Sequence, residues 1–216
     1  MNKDQELQLE VLNAIKWEPL LNATQIGVFA KDGVITLTGI VDTYAKKIEA
    51  EKAAKNVLGV KALVETIEIR FENLHRKSST EIANEVLKAL KWNWAVPNDV
   101  IKIKVEDGWV TLEGEVPWNY QREAAGKAVV NLTGIKGLTN YITLKLEVNE
   151  EIEKVIIERA IARSWSIADK DIHVKVVGNN VTLTGNVNSL YQKDEAERVT
   201  WNAPGVWSLK NELVIV

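Results

Sequence analysis

The sequence predicts an α+β protein: three tandem αββαβ domains, each a small mixed three-stranded sheet with two helices on one face. Three observations predict it. First, the segment Gly33-Val34-Ile35-Thr36-Leu37-Thr38-Gly39 returns as Gly108-Trp109-Val110-Thr111-Leu112-Glu113-Gly114 and as Asn179-Asn180-Val181-Thr182-Leu183-Thr184-Gly185. The offsets are 75 and 71 residues, and both hold without a gap from the end of each first helix to the last strand. Such self-similarity is the mark of a repeated structural unit. Second, each copy alternates apolar and polar residues just before this segment, as a half-buried strand does. Third, each copy closes its second helical stretch with the same Asn-x-x-Gly tail.

The elements follow in order. Leu7, Val11, Leu12 and Ile15 recur at helical spacing and give the first helix an apolar stripe. Copy two opens its first helix with Ser78-Ser79-Thr80-Glu81, a capping-box pattern. Strand one alternates as Ile26, Val28, Ala30; as Ile101, Ile103, Val105; and as Ile172, Val174, Val176, so one sheet face is buried. Asp32-Gly33, Asp107-Gly108 and Gly178-Asn179-Asn180 tolerate positive φ and predict a hairpin into strand two. Strand two ends at Gly39, Gly114 and Gly185. The second helix spans about Tyr44 to Val57 in copy one, and Gly59, Gly134 and Gly205 are read as left-handed C-cap residues, structural in role. Leu63, Ile67 and Ile69 open the pattern of strand three, repeated as Leu138, Ile142, Leu144 and as Leu209, Leu213, Ile215. The expected domains are 1–71, 77–147 and 149–216.

With these motifs in place, the unit resembles the BON domain, a family named for bacterial osmotically inducible and nodulation proteins. The residues that carry the resemblance are Gly33, Leu37, Gly39, Val41, Gly59 and Val60 in copy one. Copy two offers Gly108, Leu112, Gly114, Val116, Gly134 and Ile135. Copy three offers Leu183, Gly185, Val187, Gly205 and Val206, with Asn179 in place of the first glycine. The resemblance covers nearly the whole chain. It implies a non-catalytic module, associated in that family with periplasmic and outer-membrane sites and with phospholipid surfaces, and elsewhere with regulatory or cell-wall-binding modules.

Composition bounds the function. The apolar share is 46% and the charged share 26%, ordinary values for a soluble globular chain. A net charge of −3 argues against general nucleic-acid binding, which needs a basic face. The absence of cysteine excludes disulfides, thiolate metal sites and cysteine nucleophiles. The two histidines, His75 beside Arg76 and Lys77 and His173 on strand one, have no partner at metal-ligand spacing and read as surface residues. Glu150, Glu151 and Glu153 suit a helix N-terminus, and Asp169 and Asp171 suit a loop, so neither group reads as a carboxylate site. No phosphate loop or nucleophile elbow occurs. We expect no enzyme, no cofactor and no metal.

The eight tryptophans are the unusual feature. Trp17, Trp94 and Trp165 follow the first helix of each copy, and we expect them to cover that end of the core. Trp109 stands where the other copies have Val34 and Asn180, Trp118 where they have Thr43 and Ser189, and Trp207 where they have Lys61 and Lys136. Trp201 matches Lys55 and Val130. Positions that accept polar residues in sister copies are not core. Trp109, Trp118 and Trp207 are therefore candidates for packing between repeats, for a protein partner or homo-oligomer contact, or for the headgroup level of a phospholipid membrane surface. Trp109 and Trp118 are the expected apolar wedge for lipid, since the chain offers no polybasic patch. The leading expectation is a binding or scaffolding protein, peripheral to phospholipid and linked to osmotic or envelope stress; the alternative is protein–protein assembly. The polar, acidic start carries no secretory signal or lipid anchor, which predicts a cytoplasmic location, or a periplasmic one if a leader has been removed.

Overall fold

The computed structural model describes residues 2–71, 77–97, 99–145, 154–164, 167 and 171–216. His75, Glu150, Glu151, Glu153, Trp165 and Asp169 lie outside the described residues. The first repeat runs α1 (Lys3–Lys16), β1 (Ile26–Lys31), β2 (Val34–Val41), α2 (Tyr44–Lys55) and β3 (Ala62–Ile69). The second runs α3 (Ser79–Trp92), β4 (Ile101–Glu106), β5 (Trp109–Val116), α4 (Asn119–Val130) and β6 (Gly137–Leu144). The third runs α5 (Lys154–Arg163), β7 (Ile172–Val177), β8 (Asn180–Val187), α6 (Leu190–Trp201) and β9 (Ser208–Ile215). Each repeat forms its own three-stranded mixed sheet with the second strand in the centre. In repeats two and three that strand pairs antiparallel with the first and parallel with the third.

Two-residue loops close the hairpins, because Lys31 pairs with Val34 and Glu106 with Trp109. A type I′ loop needs positive φ at both positions to match strand twist, and Asp32-Gly33 (52° and 80°) and Asp107-Gly108 (48° and 87°) supply it. Gly59, Gly134 and Gly205 have φ of 84°, 92° and 83°, the left-handed conformation that turns a chain out of a helix. The next residue but one then bonds back to the hairpin: Lys61 N–H donates to Gly33 O (2.8 Å), Lys136 to Gly108 O (2.8 Å) and Trp207 to Asn179 O (3.0 Å). The hairpin glycine is needed where it meets that turn, since a Cβ on Gly108 would lie 2.9 Å from Gly134 O. Asn179 replaces the glycine in the third repeat, and its side-chain amide donates to Gly205 O at 2.7 Å.

The inward faces make the cores. In repeat two, Ile82, Val86 and Leu90 of α3 and Ala125 and Val129 of α4 cover Val110, Leu112 and Val116 of β5. Ile157, Ile161, Val181, Leu183, Val187 and Ala196 do the same in repeat three. In repeat one, Val11, Ile15, Ile35, Leu37, Ala50 and Ala54 are buried. One helix-side position of the third strand is polar and lies at the solvent-exposed or half-buried margin of the core. Asn140 donates to Arg122 O (3.0 Å) and accepts from Ile142 N–H (3.1 Å), and Asn211 likewise donates to Lys193 O (3.0 Å) and accepts from Leu213 N–H (3.3 Å). The bonds tie β6 and β9 to the first turns of α4 and α6.

Contacts divide the chain into two compact units that do not follow the repeat boundaries 1–71, 77–147 and 149–216. One comprises Met1–Gly39, Glu49–Ile67 and Val148–Val216; the other comprises Ile40–Ile48 and Glu68–Glu147. In the first unit, Gly59 N–H donates to Asn188 O (3.1 Å) and Lys55 pairs with Asp194 (2.7 Å), joining repeat one to repeat three. In the second unit, Tyr44 packs against the core of repeat two.

Two glycine replacements separate strain from collision. Gly134→Ala meets only Ile82 and Lys77 side chains at 3.4 Å, so it should cost about 1 kcal/mol, the left-handed penalty. Gly114 has φ 146°, and a Cβ there would overlap the Val100 carbonyl. Chemical denaturation should show Gly114→Ala costing at least about twice as much as Gly134→Ala; equal costs would contradict the close approach.

Candidate functional site

The aromatic residues were the candidates, and they fall into different environments. Trp109 opens β5 on the outer sheet face and is 51% exposed. Its indole lies over Gly137, where a Cβ would overlap the six-membered ring, and its N–H donates to Thr139 Oγ1 at 2.8 Å. The register places Trp109 opposite Gly137, as Val34 and Asn180 align with Ala62 and Ser208 in the sister repeats. The large ring and the missing side chain go together. Trp207 is half-buried, and Trp201 packs against the core of repeat three.

Trp118 is the N-cap of α4 and is 44% exposed. Its sister residues are proper caps: Thr43 Oγ1 accepts Lys46 N–H (3.3 Å) and Ser189 Oγ accepts Gln192 N–H (3.2 Å). An indole has no acceptor for this bond, and a lost cap costs about 1 kcal/mol. Trp109 and Trp118 do not form one wedge. The length of β5, which begins at Trp109 and ends at Val116, separates them, roughly 25 Å at about 3.3 Å per residue.

Trp17 and Trp94 do not cover the core; they are 85% and 92% exposed. The reason is local. Trp17 is the C-cap of α1, its N–H donating to Asn13 O, and Trp94 lies in the turn after α3. The core is closed further along, by buried Val96 and Ile167 and partly buried Leu21 at equivalent positions. Trp92, at the last position of α3, is a further aromatic missed in the sequence and is 86% exposed. Lys88 and Lys91 are exposed nearby on the same helix, and Lys16 precedes Trp17. An apolar moment cannot reveal which way a residue just beyond a helix end points; the recurrence of Lys-Trp at both helix ends was the available signal.

Trp92, Trp94 and Trp118 share one end of repeat two. Ile101, where the chain re-enters the sheet after α3, pairs with Gly114 near the end of β5, from which α4 starts. Asn93 Nδ2 donates to Ala124 O (3.3 Å), holding the Trp92–Trp94 turn against α4.

Among the described residues, the shifted groups are explained by local hydrogen bonds. Backbone and hydroxyl hydrogen bonds from Ser78 lower the pKa of Glu81, as a capping box should, and hydrogen bonding to Arg198 lowers that of Glu195 against opposing burial. His173 is exposed. Among the described residues no group of three or more His, Asp or Glu is placed to hold a metal, and no helix is long and apolar enough to cross a membrane.

The sequence pattern of the BON domain matches three times, over residues 3–70, 78–145 and 150–216. The chain belongs to the BON-domain family. Osmotically-inducible protein Y of Escherichia coli (strain K12) is 27% identical to it over 146 residues, which is 66% of this chain and 73% of that protein. Among solved structures, CdsD, a structural protein of the type III secretion system of Chlamydia trachomatis, aligns with 98% of this chain and 92% of its own length, at 15% identity and a TM-score of 0.27. Its C-terminal domain aligns over 98% of both chains at 16% identity and a TM-score of 0.26.

The second BON repeat allows a direct check of the Trp109 geometry. Gly137→Ala should destabilise by about 1–2 kcal/mol through overpacking. Adding Trp109→Val, which recreates the Val34 and Ala62 pair of repeat one, should remove most of that cost, a coupling above about 1 kcal/mol in a double-mutant cycle. Additive costs would show that the ring does not lie over residue 137.

Proposed function

We propose that this BON protein is a non-catalytic binding protein that attaches peripherally to phospholipid surfaces through the turns after its first helices. The observation that carries the reading is the near-complete exposure of Trp92 and Trp94 beside Lys88 and Lys91. Trp17 and Leu20 repeat the arrangement in the first BON domain, with Lys16 adjacent. Tryptophan is favoured at headgroup level, where its apolar body and N–H are both accommodated. Lysines near an anionic leaflet contribute about 1 kcal/mol each. These few cations support weak, reversible attachment rather than firm anchoring. The Escherichia coli relative is named for osmotic induction, and the proposal carries that setting over to this chain, with binding at a membrane surface under osmotic stress. The wedge moves from Trp109 and Trp118, which lie too far apart, to Trp92 and Trp94.

Liposome sedimentation tests the reading. The parent chain should co-sediment with vesicles containing phosphatidylglycerol and less with pure phosphatidylcholine. Trp92→Ser with Trp94→Ser should weaken binding on the order of tenfold or more, while Trp109→Ser leaves it unchanged. Equal binding by the double variant, with its fold intact by circular dichroism, would overturn the proposal.

A further inference from the structure

The outer faces of the three sheets, the sides turned away from the helices, differ in chemistry. In β1 the outward residues are Gly27, Phe29 and Lys31, because Ile26, Val28 and Ala30 are buried between them. Phe29 is 59% exposed, and Val34 of β2 and Val64 of β3, on the same face, are 36% and 45% exposed. Threonines fill the positions among them, Thr36 opposite Phe29 and Thr38 opposite Gly27. All of these residues belong to the first unit. The sister faces are charged. Lys102 and Lys104 hold the places of Gly27 and Phe29 in repeat two, and His173 and Lys175 hold them in repeat three. Lys210 of repeat three stands where repeat one has Val64. The same scaffold thus tolerates charge on this face, and repeat one alone lacks it at these positions. A contiguous exposed apolar face of this kind marks a contact surface.

The face also carries a matched projection and notch. Phe29 projects from β1, and Gly27, two residues away on the same side, leaves bare backbone. The strand does not itself demand that glycine. A Cβ on Gly27 would lie 2.6 Å from Thr38 Oγ1, a hydroxyl on a rotatable side chain, and in repeat three His173 sits opposite Thr184 at the same pair. An aromatic ring over a glycine on an outer sheet face already occurs in this protein, where Trp109 lies over Gly137.

We propose that the outer sheet face of repeat one stacks on the same face of a second copy of this chain, with each Phe29 ring seated on Gly27 of the other copy. A two-fold axis crossing β1 at Val28 produces this pairing, because it exchanges the residues on either side of Val28. Val28 lies opposite Leu37, so the same axis sets Thr36 over Thr38 of the second copy. Sheets stacked face to face lie about 10 Å apart, which leaves room for one layer of side chains from each. The contact is isologous and closes at the dimer. Three strands of eight residues present roughly 14 Å by 26 Å, so two copies bury roughly 700 Å², the range of weak and reversible contacts. The face contains none of the residues in the lipid reading, and the two proposals stand or fall separately.

Sedimentation equilibrium of the full chain, from about 10 µM to about 1 mM, spans the affinities of a contact this small. The apparent mass should rise from 24.2 kDa toward twice that value and not beyond. Phe29→Lys, which installs the residue of both sister repeats at an exposed position, should weaken association roughly tenfold or more. Gly27→Phe is the decisive variant. It adds apolar area but fills the notch, so the seated ring predicts weaker association, whereas general stickiness of the face predicts stronger. Trp109→Ser, on the outer face of repeat two, should leave association unchanged. A parent chain that stays monomeric throughout, growth beyond the dimer, or undiminished association of either Phe29→Lys or Gly27→Phe would overturn the proposal.

Discussion

The backbone bond from the start of each third strand to the hairpin carbonyl, Lys61 to Gly33 and its two counterparts, organises everything around it. It forms only if the second helix ends in a left-handed glycine and the hairpin brings its own glycine or Asn179 beneath that turn. Once made, it sets the parallel register of the third strand, as from Trp109 against Gly137 to Val116 against Leu144. The register in turn decides which residues face the helices. A repeat of about 70 residues buries a limited core and has little margin for a slipped strand. Asn140 and Asn211, bonded to both their own strand and the adjacent helix, add a second polar tie that a slipped register would break.

These ties were partly legible in the sequence. Asp-Gly turns and the Asn-x-x-Gly tails are local instructions, each with a conformational meaning of its own, and three aligned copies made them plain. Asn140 and Asn211 could have been noticed as polar residues at helix-side positions of an otherwise apolar alternation. Their role required knowing that the second helix begins above them. The division into two contact units was not legible. It rests on the bonds of Gly59 and Lys55 to a repeat more than 120 residues away in sequence, and no local pattern encodes that.

The tryptophans show the limit of comparing repeats. Comparison correctly removed Trp109, Trp118 and Trp207 from the common core, because sister positions hold Lys, Asn, Ser or Thr. It said nothing about direction for Trp17 and Trp94, since tryptophan beyond a helix end fits either a core lid or an exposed prong. The lid is instead the smaller Leu21, Val96 or Ile167. Trp109 has its own explanation, a ring seated on Gly137. What remains without a structural use are the rings that stand in solvent beside lysines, and the ring that displaced a cap.

The most direct measurement is fluorine NMR of the chain labelled with 5-fluorotryptophan, its resonances assigned by single substitutions, with anionic vesicles added stepwise. The account predicts that Trp92, Trp94 and Trp17 broaden first, while Trp109, Trp201 and Trp207 keep their lines. Broadening of Trp109 with Trp92 and Trp94 unchanged would place the contact on the outer sheet face and contradict it.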